Sequence, residues 1–213
     1  MNQSVNSSNP NNTEGSSTKS VAFFDFDGTI TNRDSFIDFI VFYHGRFAAY
    51  FGLFRLLPFL LAYKIKLMPN WQAKEKVMTY FFKGEPLADF QTRCEQYATE
   101  RIPQITRKSA LQAIQKHQEL GNDIYLVSAS PENWLLAWCQ QKEIKLLASR
   151  LEVSKGRLTG NLLGKNCYGP EKVVRIRQVV DLSHYQNVYS YGDSSGDRQM
   201  LQLADHAYYR PFR

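Results

Sequence analysis

The sequence predicts an α/β fold: a parallel sheet with an inserted all-helical segment and a small β-hairpin. Three observations carry this expectation. Apolar runs end in carboxylate or hydroxyl residues at Val21-Ala22-Phe23-Phe24-Asp25, at residues 122 to 130 and at Val188-Tyr189-Ser190-Tyr191-Gly192-Asp193, as buried parallel strands do. Between the first two runs the periodicity is purely helical. Residues Leu151 to Leu163, broken by Ser154-Lys155-Gly156, alternate as a hairpin does.

Taken in order, residues 1 to 19 are rich in Asn, Ser and Thr with almost no apolar side chain, so they are expected to form a disordered tail that lacks the apolar core of a signal peptide. The first strand ends where Gly28 breaks the run. Residues 36 to 67 are rich in Phe, Leu and Tyr with few charges, and helices are expected at Trp71 to Phe82, Pro86 to Arg101 and Gln104 to Leu120, the last stopping at Gly121. A strand then runs to Ser128. Ser130 is expected to cap a helix through Trp134, Leu135 and Trp138. A short strand near Leu146 to Ala148 and the hairpin follow, and Pro170 suits the first position of a helix that places Lys172 in its opening turn. The Val188 strand, a helix over Asp197 to Leu203 and a strand at His206 to Tyr209 complete the chain. This alternation requires crossovers in a parallel sheet. The resulting division is a tail at 1–19, a core at 20–34 and 106–213, and a helical cap at 35–105.

The composition narrows the function. A hydrophobic share of 43% in 213 residues suits one core domain with an insertion. The formal charge of +6 favours anionic partners, but the basic residues are scattered rather than striped, which weighs against nucleic acid. Cys94, Cys139 and Cys167 fit neither a disulfide framework nor a zinc site, and a reducing cytoplasm is the simplest home. His44, His117, His184 and His206 show no paired-ligand spacing, and Trp134 and Trp138 sit at core-packing spacing.

Asp25 and Asp27 stand out. Strand alternation would turn both toward the carboxyl end of the sheet, where open α/β folds bind ligands. Two carboxylates so close need a cation between them, and Mg²⁺, a hard ion that takes oxygen ligands, fits.

The ordered set Asp25-x-Asp27-x-Thr29, then Ser128, then Lys172, then Gly192-Asp193-x-x-x-Asp197 resembles the haloacid dehalogenase (HAD) superfamily of phosphohydrolases. Within it the chain resembles the phosphoserine phosphatase-like branch, subfamily IB, whose helical cap follows the first motif. Arg157-Leu158-Thr159-Gly160 and Gly164 to Lys172 resemble, more loosely, a group that includes phosphatidylglycerophosphatase C. The resemblance implies a Rossmann-like core and a phosphomonoester hydrolase. Asp25 would be the nucleophile that forms an aspartyl-phosphate. Asp27 would protonate the leaving oxygen and later activate water. Asp25, the Asp27 carbonyl and Asp193 would hold Mg²⁺. Ser128, the Ala129 amide and Lys172 would bind the phosphate, while Thr29 braces the loop and Asp197 supports the metal water or Lys172. A dehalogenase would leave Asp27 without a role.

Substrate choice is left to the cap. Asp34 falls near the position where phosphoserine phosphatases carry an acidic residue that grips the substrate amine, although theirs is usually the longer Glu. The apolar, aromatic cap instead suits a lipid phosphate such as phosphatidylglycerophosphate. The run Phe47 to Tyr63 contains Arg55 and Pro58 and falls short of the about 20 residues a spanning helix needs, so contact with an anionic membrane at the cytoplasmic face is one expectation and packing inside the cap the other. A small-metabolite phosphatase and a phosphotransferase using the same aspartyl intermediate are the alternatives. A non-enzymatic membrane adaptor would show erosion at Asp25, Asp27 or Asp193, and none is eroded.

Overall fold

The computed structural model describes residues 19–213; the tail expected at 1–19 otherwise lies outside the described residues. Strand β1 (Val21–Phe24) is buried along its whole length at the centre of a five-stranded sheet. Its neighbours are β2 (Asp123–Pro131) and β6 (Val188–Gly192), with β3 (Lys145–Ser149) and β7 (His206–Tyr209) at the edges, and every pairing is parallel. A sheet covered on both faces needs apolar side chains on both. Ala22 and Phe24 accordingly join one core cluster and Val21 and Phe23 the other.

Between β1 and β2 come α1 (Ser35–His44), α2 (Arg46–Arg55), α3 (Leu57–Lys64), α4 (Asn70–Phe82), α5 (Leu87–Gln96), α6 (Ile102–Ile105) and α7 (Lys108–Glu119). After β2 follow α8 (Leu136–Gln141), the hairpin β4 (Leu151–Ser154) and β5 (Arg157–Leu162), α9 (Pro170–Val179) and α10 (Arg198–Leu201). Phe39 is the hub of the helical insertion: it stacks on Trp134 and meets Phe82, Phe90 and Tyr97 with ring centroids 4.6 to 5.7 Å apart. Below it, Arg101 donates two bonds of 2.8 Å to Asp38, so α1 is clamped to the turn after α5.

Several boundaries differ from expectation. The helix expected from Gln104 begins at Lys108, because Thr106 is extended and bridges Thr31, and two further bonds, Asn32 N to Ile105 O and Arg107 N to Ile30 O, close the neck where the chain leaves and re-enters the sheet. The segment expected as one helix from Pro86 to Arg101 passes from α5 into a wide turn at Tyr97–Arg101. Only Arg198–Leu201 of the helix expected over Asp197 to Leu203 is α-helical. Ser130 caps no helix, since β2 runs on to Pro131 and a 3₁₀ turn takes over at Glu132–Trp134. His117 is a core residue, bonded to Tyr191 Oη at 3.0 Å and Asn122 at 2.8 Å, and the three cysteines are buried and free.

The hairpin does more than join strands. Gly84 N bonds Leu158 O, Leu158 N bonds Glu85 O and Leu87 N bonds Gly156 O, which stitches the hairpin to the loop between α4 and α5. Gly160 (φ +87°) lies so close to α4 that a Cβ would sit 2.5 Å from Thr79 Cα. Gly160→Ala combines a left-handed backbone with a backbone clash, and we expect a loss of about 1 to 3 kcal/mol in denaturant unfolding. A loss below about 0.5 kcal/mol would show that this contact does not fix α4 on the hairpin.

Candidate active site

The carboxyl ends of β1, β2 and β6 open into a cleft of 480 Å³ roofed by α1, α3 and α4. Lys172 lies at its base. Pro170 opens α9 and Lys172 follows within the first turn, which carries its side chain inward until only 1% is exposed. Its Nζ donates to Asp25 Oδ1 at 2.6 Å, Asp197 Oδ1 at 2.7 Å and Val127 O at 2.7 Å, so all three protons are used. Burial alone would lower the Lys172 pKa, but the Asp25 and Asp197 charges outweigh it and hold the ammonium protonated above its usual range.

Asp25 follows β1 directly, and its second oxygen accepts from Thr29 Oγ1 at 3.0 Å. Burial raises its carboxyl to about 7, with Lys172 opposing. Asp193 follows β6, where burial also raises its carboxyl, and Arg213 pairs with it. Asp197 accepts from Ser194 N and Oγ at 3.0 and 2.8 Å and from Asp193 N at 3.2 Å, and the Lys172 contact outweighs burial to lower its pKa. One oxygen from each of Asp25, Asp193 and Asp197 lies within 4.8 Å of the others. Gly28 (φ +82°) shapes this cluster, because a Cβ there would stand 2.5 Å from Asp193 Oδ2.

Three carboxylates around one saturated ammonium fit a hard divalent cation. Unit charges about 4 Å apart repel by roughly 4 kcal/mol at an effective dielectric of 20, more than hydrogen bonds to neutral groups offset.

Asp27 departs from the expected picture. The strand ends at Phe24, and in the irregular turn through Gly28 the Asp27 carboxylate, although it lines the same cleft, takes no part in the acidic cluster. It accepts from Ser35 N at 2.6 Å and Ser130 Oγ at 2.7 Å, and burial with the nearby Asp34 charge raises it to about 6. Asp34 caps α1 by accepting from Phe36 N and Ile37 N, and it borders the cleft. Ser128 is fully buried beneath the cleft wall, where its Oγ accepts from Ser130 N at 3.0 Å; Ala129 and Ser130 form the wall itself.

Sequence reasoning missed Ser130, Ser35 and Lys74. Lys74 enters from α4, lines the cleft, and donates to Ala129 O at 2.5 Å and Asn166 Oδ1 at 3.3 Å, tying the helical roof to the sheet. Burial lowers it to about 8 against the pull of Asp27 and Asp34. Its signal was present: Asn70, Ala73, Lys74 and Val77 share one helical face, and a lysine on a buried face asks for a partner.

Comparison with known proteins places this geometry in context. The chain is 35% identical to Protein CicA of Caulobacter vibrioides over 193 residues, 89% of this chain and 85% of that one. The fold is similar to a Bordetella pertussis protein of unknown function, with TM-score 0.74 at 22% identity over 88% of this chain and 87% of that one. It is also similar to a phospho-aspartyl intermediate analogue of phosphoserine phosphatase, with TM-score 0.56 at 20% identity over 88% and 84% of the two chains. A family model described as haloacid dehalogenase-like hydrolase matches residues 22–202, a span running from β1 past Asp197, and on that match the chain belongs to this family of hydrolases.

Proposed function

We propose that the protein is a phosphomonoester hydrolase that works through an aspartyl-phosphate on Asp25. The observation that carries this reading is the division of labour between the two neighbouring carboxylates. Asp25 is held by Lys172 and Thr29 beside the acidic cluster, while Asp27 is held apart by two serines. In the first step an Asp25 oxygen bonds to phosphorus and the ester P–O bond breaks; Asp27 gives its proton to the leaving oxygen. In the second, Asp27 takes a proton from water, whose oxygen displaces the Asp25 carboxylate from phosphorus. A carboxyl raised to about 6 suits both duties near neutral pH.

Asp25, Asp193 and the Asp27 carbonyl, with Asp197 behind them, would hold Mg²⁺, which when bound supplies positive charge against the phosphate. Lys172 orients Asp25 and adds charge beside the phosphate. The Ala129 amide on the cleft wall would meet a phosphate oxygen, while the Ser128 hydroxyl, buried beneath that wall, would reach one only if the Ala129–Ser130 wall shifts.

For the substrate, the roof favours a lipid phosphate such as phosphatidylglycerophosphate, because Phe36, Ile37, Leu60 and Val77 give it an apolar lining. Asp34 and Lys74 at the same cleft favour a small charged metabolite as the second reading. Transfer to an alcohol instead of water uses the same intermediate. A screen of soluble and detergent-dispersed phosphate esters, with and without glycerol as acceptor, separates these. Turnover confined to soluble amino-group esters would overturn the lipid reading.

Asp25→Asn is expected to abolish both turnover and the phosphoenzyme seen by intact mass; residual activity above about a tenth of wild type would rule out the covalent route. Asp27→Asn is expected to cut kcat by about 10² to 10⁴ and, with an activated aryl phosphate, to let the phosphoenzyme accumulate.

A second test needs no turnover. Burial raises Asp25 to about 7 and Asp27 to about 6 from 3.8, so the native protein keeps protons that the unfolded chain has lost. This contribution to stability is full below the ordinary carboxylate range and is lost as pH rises through 6 to 7. The metal-free Tm should therefore fall between about pH 5 and about pH 8, and Mg²⁺ should restore it chiefly at the higher pH. Asp193→Ala should remove that restoration. An equal Mg²⁺ effect at both pH values would contradict the site.

A further inference from the structure

The segment α2–α3 is built unlike the rest of the roof. Ala49, Gly52 and Leu56 are its buried face, and Gly52 is pressed so close to α4 that a Cβ would lie 2.5 and 2.6 Å from the Phe81 and Tyr80 rings. That contact fixes the rotation of α2. Phe47, Tyr50, Phe51 and Phe54, at helical spacing on the other side, are thereby committed to solvent, with Phe47 88% and Phe54 70% exposed. Leu57, Phe59 and Leu61 continue the apolar surface along α3, and Ile65 and Leu67 extend it. A contiguous apolar surface of this kind marks an interaction site.

Charge identifies the partner. No Asp or Glu occurs from residue 39 to residue 74, while Arg46, Arg55, Lys64 and Lys66 do. All four are exposed and form no ion pair among the described residues. A second copy of the chain docked face to face would bring eight cations together without an anion to offset them, whereas an anionic bilayer offers both apolar depth and negative charge. Among the described residues no single helix is long and apolar enough to cross a membrane, and α2 and α3, which together have that length and composition, are bent by 63° at Leu56. A 63° bend suits an elbow seated in the interface better than a straight span. Leu60 and Tyr63 of the same α3 line the catalytic cleft, so the apolar surface and the cleft are two sides of one helix.

We infer that the α2–α3 elbow is an interfacial docking surface for anionic bilayers, which seats the cleft mouth at the headgroup level. This deepens, and rests on, the lipid-phosphate reading of the cleft. An ester with its chains left in the bilayer would then present only its phosphate to Asp25, past Leu60 and Tyr63.

The test uses the full chain and vesicles of equimolar phosphatidylcholine and phosphatidylglycerol, which contain no phosphomonoester, so binding is read apart from turnover. The protein is expected to sediment with these vesicles, less with pure phosphatidylcholine, and less at high salt. Phe51→Ser with Phe54→Ser should weaken partitioning about a hundredfold while leaving hydrolysis of a soluble aryl phosphate and the Tm unchanged. Arg55→Glu with Lys64→Glu, on exposed side chains, should weaken it on anionic vesicles alone, and it carries the test if the first pair unfolds. A wild-type protein that stays in the supernatant, or a solution dimer that the phenylalanine changes dissociate, would overturn the docking surface. Sedimentation without turnover of any lipid phosphate would leave docking standing and overturn the lipid reading of the cleft.

Discussion

A fully buried ammonium is the constraint around which the catalytic end of this fold is arranged. Lys172 reaches the base of the sheet from the first turn of α9 and gives its three protons to Asp25, Asp197 and the carbonyl of Val127. Removing any one acceptor would leave charge stranded in a low-dielectric interior, a loss of several kcal/mol. The same three bonds link β1, β2 and the turn after β6, so the strand ends that carry Asp25 and Val127 are held in register by one side chain. Its place in the proposed chemistry and its place in the architecture are inseparable.

The second constraint is mechanical. The neck between Thr31 and Thr106 would allow the helical insertion to hinge, but the hairpin grips the far end of α4 through backbone bonds and through Gly160 against Thr79. At the near end, Lys74 and Asn70 meet Ala129 and Asn166 across the cleft. Backbone contacts at the far end are unaffected by a ligand. Those at the near end are polar side chains bordering the cleft, and they are the ones that an entering phosphate could displace. The roof is thus tied by backbone at the hairpin side and by polar side chains at the side where α3 and the start of α4 lie.

How much of this was legible in the sequence depends on the range of the interaction concerned. The parallel sheet, the inserted helices and the hairpin follow from apolar runs ended by Gly or acidic residues and from Pro170 at a helix start, while Asp25, Thr29, Lys172, Asp193 and Asp197 are singled out as a set by their resemblance to the HAD motifs. These are local signals. The aim of Asp27 was not legible, since it depends on Gly28 ending strand alternation and on Ser35 and Ser130, far apart in sequence, converging on one carboxylate. Ser130 read as a helix cap because Ser-Pro-Glu has that composition; only the continuation of β2 to Pro131 redirects its hydroxyl. Thr106 reads as helical until its bridge to Thr31, distant in sequence, overrides local propensity.

The helices at 36–67 show the same limit in another form. Periodicity reports how apolar a helix face is, but it cannot report whether another element covers it. In α1 the apolar face is covered, with Phe39 at the centre of an aromatic cluster. In α2 the buried positions are the small Ala49 and Gly52, with Gly52 against α4, while Phe47, Tyr50, Phe51 and Phe54 stand on the outside. A helix that only needed to fill the roof would gain more by turning its phenylalanines inward, since each large apolar side chain buried is worth about 1.5 to 3 kcal/mol. The inverted arrangement gives up that stabilisation in the isolated molecule. It keeps α2 thin where it crosses α4 and leaves the aromatic side chains exposed, and the inferred bilayer contact is what would recover that stabilisation.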